Sequence, residues 1–135
     1  MEGLEIVKQS YGRACLNPKV IDRFYEIFLE SHPAIKPMFH KTDFTKQKQL
    51  LKTGVIMMLA HLEGKAIWTS HLDKIAESHS KKHLNVSPSL YQYWIESLVA
   101  AVKEHDPQWT PAIERYWQKA LHAGVDYITE QYEKP

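Results

Sequence analysis

The stretch LNPKVIDRFYEIFLE, residues 16–30, decides the fold class of this chain. Asn followed by Pro is a typical helix start, because Asn caps free N–H groups and Pro fits the first helical position. Apolar residues then recur every three or four positions, which indicates one buried helix face: Val20, Ile21, Phe24, Ile27 and Phe28. The stretch therefore predicts an amphipathic helix that opens at Asn17-Pro18 and runs through about Leu29.

Similar signals recur along the rest of the chain. Thr42-Asp43 predicts a long helix through about His61, with an inward stripe of Leu50, Leu51, Val55, Met58 and Leu62. Further helices are predicted at about 65–82, after Ser87-Pro88, and from Thr110-Pro111 to about Tyr132, with a short turn or helix between Pro33 and Phe39. The five glycines and the lack of two-residue alternation argue against a β fold. The chain is predicted to be all-α, with about six or seven helices in one domain over residues 1–135.

The composition excludes several classes of function. A net charge of +1 provides no overall field that would attract nucleic acid or an acidic membrane. The longest apolar run, VIMMLA at 55–60, is too short to cross a bilayer, and the first residues do not resemble a secretion signal. A single cysteine allows no disulfide within the chain, and the absence of CxxCH excludes covalent haem attachment of the c type. We expect a cytoplasmic protein.

The stretch IAESHSKKHLNV, residues 75–86, places His79 and His83 one helical turn apart. Such a pair could be solvent-exposed, or it could chelate zinc, although no third ligand is marked and the order HExxH is absent. Alternatively, one histidine could be the sole protein ligand of a haem iron, which requires a neutral imidazole facing an apolar slot. The residue types alone leave these interpretations open.

Three stretches together resemble bacterial single-domain haemoglobins, and they are similar to the globin domains of flavohaemoglobins and globin-coupled sensors. FYEIFLESHPAIKPMF (24–39) resembles the second and third globin helices, and TDFTKQKQLL (42–51) resembles the start of the distal helix. IAESHSKKHLNVSPSLY (75–91) resembles the proximal helix, the corner after it and the start of the next helix. The resemblance implies a globin fold that holds a non-covalent haem b.

The resemblance also implies a role for individual residues. It makes His79 the iron ligand, with Tyr25 and Gln47 as hydrogen-bond donors to a bound gas and Leu51 closing the pocket above the iron. Tyr91 would reach His79 or a haem propionate, in a proximal network for which Glu130 is a candidate partner. The implied haem contacts are Phe28, Met38, Phe39, Val55, Ile75, Ser78, His83, Val86, Tyr91 and Trp94.

The function implied by this resemblance is reversible binding of O₂, with CO and NO as further ligands. Two distal donors predict high O₂ affinity and slow O₂ release. Three alternatives stand beside it: an NO dioxygenase that uses an external reductase, a gas sensor with a separately encoded partner, and a haem-free helical interaction module. We expect a monomer or a homodimer.

Overall fold

The computed structural model of the protein describes residues 2–64, 66–79 and 87–130, with the side chains of these residues except 66–68, 70 and 71. Six α-helices form this part of the chain: α1 Leu4–Ala14, α2 Lys19–Ser31, α3 Phe44–Leu62, α4 Ala66–His79, α5 Tyr91–His105 and α6 Pro111–Thr129. Short 3₁₀ helices at Lys36–Phe39 and Pro88–Leu90 precede α3 and α5. The described residues contain no β-strand, so the all-α prediction is confirmed.

Polar side chains cap the helices where the sequence predicted them to begin. The Asn17 Oδ1 accepts a hydrogen bond of 2.9 Å from the N–H of Lys19, at the start of α2. Asp43 Oδ1 accepts the N–H of Thr45 at 3.1 Å, and Thr110 Oγ1 accepts the N–H of Ile113 at 3.1 Å. These bonds satisfy N–H groups that have no partner within the helix.

The helix predicted to begin at Ser87-Pro88 begins later than expected. Pro88–Leu90 is a 3₁₀ turn, and the α-helix begins only at Tyr91.

The core lies where α2 packs on α5, α3 packs on α4, and α1 packs on α6. Its largest fully buried side chains include Trp117, Phe24 and Leu98. The predicted inward stripe of α3 is confirmed at three positions, namely Leu51, Val55 and Met58. It is wrong at Leu50, which is 60% exposed because it lies on the outer side of α3.

Helix α1 was not predicted from the sequence. Gly3, with a left-handed φ of 79°, precedes this helix without any side-chain cap. Leu4, Val7, Tyr11 and Ala14 nevertheless form a buried stripe on it.

A buried polar cluster ties α1 to the loop between α5 and α6. Ser10 Oγ donates to Asp106 Oδ2 at 2.6 Å, and Trp117 Nε1 donates to Ser10 Oγ at 2.9 Å. Arg13 Nε donates to Asp106 Oδ1 at 2.7 Å. Burial alone would raise the pKa of Asp106, but the hydrogen bonds from Arg13 and Ser10 outweigh it and hold this pKa below its usual value.

No helix within the described residues is both long and apolar enough to cross a membrane.

Candidate functional site

The predicted site residues fall into two groups, one on α2 and α3 and the other at the end of α4. In the first group Tyr25 is 4% exposed, and its ring meets those of Phe39 and Phe44 edge-on at 6.2 and 5.5 Å. Phe28 contacts Phe39 in the same way at 6.0 Å. These phenylalanine rings thus form an aromatic wall beside the ring of Tyr25.

The Tyr25 hydroxyl lies next to the predicted distal glutamine. It donates to the backbone carbonyl of Gln47 over 3.4 Å, which is long for a hydrogen bond of this type. Burial raises the pKa of Tyr25 to about 12, and a hydrogen bond with the Gln47 side chain opposes this rise. The hydroxyl therefore keeps its proton at neutral pH and remains a donor that is only weakly engaged.

Gln47, Leu51 and Val55 follow one face of α3, because residues four apart share a helix face. Gln47 is half-buried, whereas Leu51 and Val55 are 8% and 1% exposed. The face therefore presents one polar group followed by apolar side chains. The Lys48 ammonium beside it is paired with Asp22 at 2.8 Å.

The second group lies on the last turn of α4 and centres on the half-buried His79. Its Nδ1 is 2.9 Å from the carbonyl oxygen of Ile75 and 3.0 Å from Ser78 Oγ, which itself donates to that carbonyl at 2.9 Å. Because a carbonyl only accepts, Nδ1 carries the proton of a neutral ring and Nε2 keeps its lone pair. Burial lowers the pKa of His79, against a raising effect of the Ile75 hydrogen bond, so the neutral ring is favoured.

This hydrogen bond alone does not identify a metal ligand. His105, on the last turn of α5, makes the same bond from Nδ1 to the carbonyl of Ala101, at 2.7 Å. The two residues differ in position, because His79 lies on α4, the helix that packs against α3. Burial also lowers the pKa of His79. A neutral imidazole that keeps the lone pair on Nε2 has the chemistry that a haem iron requires of its protein ligand.

Three of the remaining predicted haem contacts lie on α5 and in the short helix before α3. Tyr91 and Trp94 are half-buried on the first turn of α5, and Trp94 meets Phe24 edge-on at 6.3 Å. Burial raises the pKa of Tyr91 to about 12. Met38 is 46% exposed, in the short helix before α3.

Some of the predicted residues cannot be placed. His83 and Val86 lie outside the described residues, and so does half of the possible zinc pair. Glu130 is exposed at the end of α6. Within the part of the chain that is described, no three His, Cys, Asp or Glu side chains are grouped as a metal site would need.

Phe44 belongs to this site although it was not predicted from the sequence. Its ring stacks on Phe39 at 6.1 Å and closes the aromatic wall around Tyr25. The signal was present, because Phe44 lies three positions before Gln47 and therefore on the same face of α3.

Comparison with known proteins identifies the family. The family model of the globins matches residues 22–128 of this chain, from α2 to α6. The chain belongs to the globin family. This confirms the predicted fold, and it makes the protein a haem-binding globin that takes gaseous ligands.

Two relatives of this globin are informative. A crystal structure of a Pseudomonas aeruginosa PAO1 protein, described as structurally highly homologous to a human hemoglobin, superposes with a TM-score of 0.92. The two sequences are 34% identical, and the match covers 97% of this chain and 98% of the other. A flavohemoprotein of Oceanobacillus iheyensis is 31% identical over 110 residues, which are 79% of this globin but 27% of the flavohemoprotein. This globin thus spans about a quarter of the length of that curated relative.

Proposed function

We propose that this globin binds O₂ reversibly at a non-covalent haem b, with His79 as the protein ligand of the iron and Tyr25 and Gln47 as donors to O₂. The observation that carries the proposal is the Tyr25 hydroxyl, buried beside Gln47 within an aromatic wall on the two helices that precede α4. Haem iron, when bound, supplies a coordination position at which a diatomic gas can bind.

His79 is suited to the proximal role because its orientation and protonation are already fixed. The bond from Nδ1 to the Ile75 carbonyl sets the tautomer, and it increases the basicity of Nε2. Ser78 would support this arrangement by sharing the same carbonyl. Both contacts lie within one turn of α4, so they are local to the helix that carries the ligand.

Tyr25 and Gln47 would determine which gas is held most tightly. A phenolic O–H and an amide N–H are both donors, and the phenolic one is buried among aromatic rings. They favour the ligand that accepts hydrogen bonds more strongly, which is O₂ rather than CO. Leu51 and Val55 would limit the room beside the gas, because they follow Gln47 on the same helix face.

The haem itself would be held mainly by apolar and aromatic side chains. We assign this role to the residues that the family resemblance implies: Phe28, Met38, Phe39, Val55, Ile75, Ser78, His83, Val86, Tyr91 and Trp94. On α5, the protonated hydroxyl of Tyr91 would contact the His79 ring or donate to a haem propionate. The haem pocket would lie in one domain, residues 1–135.

The decisive experiment compares absorption spectra of wild type, His79→Ala and His105→Ala after haem reconstitution, in the ferric, ferrous, O₂ and CO states. His105 is the matched control because it makes the same bond to the carbonyl four residues earlier. We expect wild type and His105→Ala to share a histidine-ligated spectrum, which His79→Ala loses and added imidazole restores. A wild-type spectrum in His79→Ala would exclude this ligand.

The likeness to a flavohemoprotein favours a second function, the dioxygenation of NO. In that reaction NO and O₂ combine with one electron to give nitrate, so an external reductase would have to supply the electron. The test measures NO consumption and nitrate formation under O₂, with and without a flavin reductase. Sustained turnover only with the reductase would support the enzyme, and a single stoichiometric conversion would leave O₂ binding as the function.

A further inference from the structure

Four polar or aromatic side chains link the stretch 69–73 of α4 to α3 and α6. The Tyr127 hydroxyl, on α6, donates to Asp73 Oδ1 on α4. The Nδ1 of His61, on the last turn of α3, is 2.7 Å from Thr69 Oγ1 on α4. We call these four residues the α4 clasp.

The α4 clasp is one connected unit and not two separate pairs. The rings of His61 and Tyr127 lie 4.4 Å apart, with an angle of 46° between their planes. Thr69 and Asp73 are four residues apart and therefore lie on one face of α4. The side chains thus form a continuous path from α3 through α4 to α6.

The α4 clasp lies on the same helix as His79. Asp73 and His79 are six residues apart on the same helix, a separation of about 9 Å along its axis. The helix packs on α3 and α6 through the buried side chains of Leu72 and Ala76. Apolar contacts of this kind allow sliding and rotation, whereas hydrogen bonds with defined partners select one position.

We propose that Tyr127 and His61 are positioning residues that fix the placement of α4 and, through this rigid helix, the placement of the His79 imidazole. The inference rests on the proposed role of His79 as the iron ligand. The Tyr127–Asp73 bond prevents α4 from moving away from α6, and the His61–Thr69 bond holds its first turns against α3. Neither residue would touch the haem.

The test compares Tyr127→Phe with Tyr116→Phe. Both changes remove one hydroxyl from α6, and the Tyr116 ring lies beside Gly3, just before α1. Hydrogen exchange of residues 66–79 is measured first in the haem-free protein. We expect about three- to tenfold faster exchange in Tyr127→Phe, from the loss of one hydrogen bond, and an unchanged rate in Tyr116→Phe.

The second readout is the iron–histidine stretching frequency of the ferrous haem protein, measured by resonance Raman scattering. We expect Tyr127→Phe to shift this frequency and Tyr116→Phe to match wild type. Asp73→Asn keeps an acceptor for the tyrosine and should retain the wild-type frequency, whereas Asp73→Val should reproduce the shift of Tyr127→Phe.

The two proposals fail in different ways. A wild-type protein without a histidine-ligated spectrum would overturn the role of His79, and the positioning role with it. A normal wild-type spectrum with the same frequency in Tyr127→Phe would overturn only the positioning role, even if exchange in α4 became faster. Equal shifts in Tyr127→Phe and Tyr116→Phe would also overturn it.

Discussion

Replacing Tyr25 by Phe tests the distal side of the proposed site most directly. The change removes a hydroxyl that is buried and protonated but only weakly engaged, because its hydrogen bond to the Gln47 carbonyl is 3.4 Å long. Little is therefore lost within the protein when this hydroxyl turns toward a gas molecule. A hydrogen bond to a strongly polar acceptor contributes about 1.5–3 kcal/mol, and 1.4 kcal/mol corresponds to a factor of ten. We expect O₂ to leave Tyr25→Phe about ten- to a hundredfold faster, with a smaller change for CO.

The assay follows O₂ displacement by excess CO in a stopped-flow spectrometer. Tyr11→Phe is the matched control, since this buried tyrosine also donates to a carbonyl of α3, that of Lys52 at 3.1 Å. Loss of the Tyr11 hydroxyl should lower the stability of the protein without changing the rate of O₂ release. An unchanged release rate in Tyr25→Phe would refute the donor role, and equal acceleration in both variants would assign the effect to looser packing of α3.

Two further predictions concern stability, measured by urea denaturation of the haem-free protein. Asp106→Asn should lower the free energy of unfolding by about 1.5–3 kcal/mol at pH 7, because the charged partner of Arg13 is lost. The folded-state pKa of Asp106 is depressed, so its stabilising contribution is present above the unfolded pKa of about 4 and is lost as pH falls through the folded pKa. The difference in unfolding free energy between the two proteins should therefore shrink as pH falls below about 4. Gly124→Ala should cost about 1–3 kcal/mol, because the new Cβ would overlap the Met58 side chain. Gly12→Ala, with no atom within 4 Å of the new Cβ, should instead add about 0.5–1 kcal/mol, and similar losses in both variants would contradict the packing argument.

Much of the fold could be predicted because its signals are local. Asn17, Asp43 and Thr110 each cap a helix through a side chain close to the N–H groups it binds, so short sequence patterns were sufficient. The start of α1 has no such cap. Gly3 stands there in a left-handed backbone conformation, and it has no side chain that could mark a helix start in the sequence. Leu50 was wrongly predicted to be buried, because the spacing of apolar residues does not show how wide the buried face of a helix is.

The contacts of the site were harder to predict, because they join residues that are distant in the sequence. Its residue types were named from the family resemblance, but the Tyr25–Gln47 contact joins residues 22 positions apart and depends on how α2 meets α3. The partners of Tyr127 could not be inferred at all, since Asp73 lies 54 positions away and no pattern in the sequence marks the pair. By contrast, the bond of His79 to Ile75 is local to one helical turn, and its spacing is visible in the sequence.

The buried link between Ser10 and Asp106 has a consequence for how the chain folds during synthesis. The two residues are 96 positions apart, so Ser10 leaves the ribosome long before its acceptor does. The polar side of α1 must therefore stay hydrated while the intervening helices emerge and assemble. Closing such a long loop is slow and entropically costly, and we expect α1 to be among the last elements to dock.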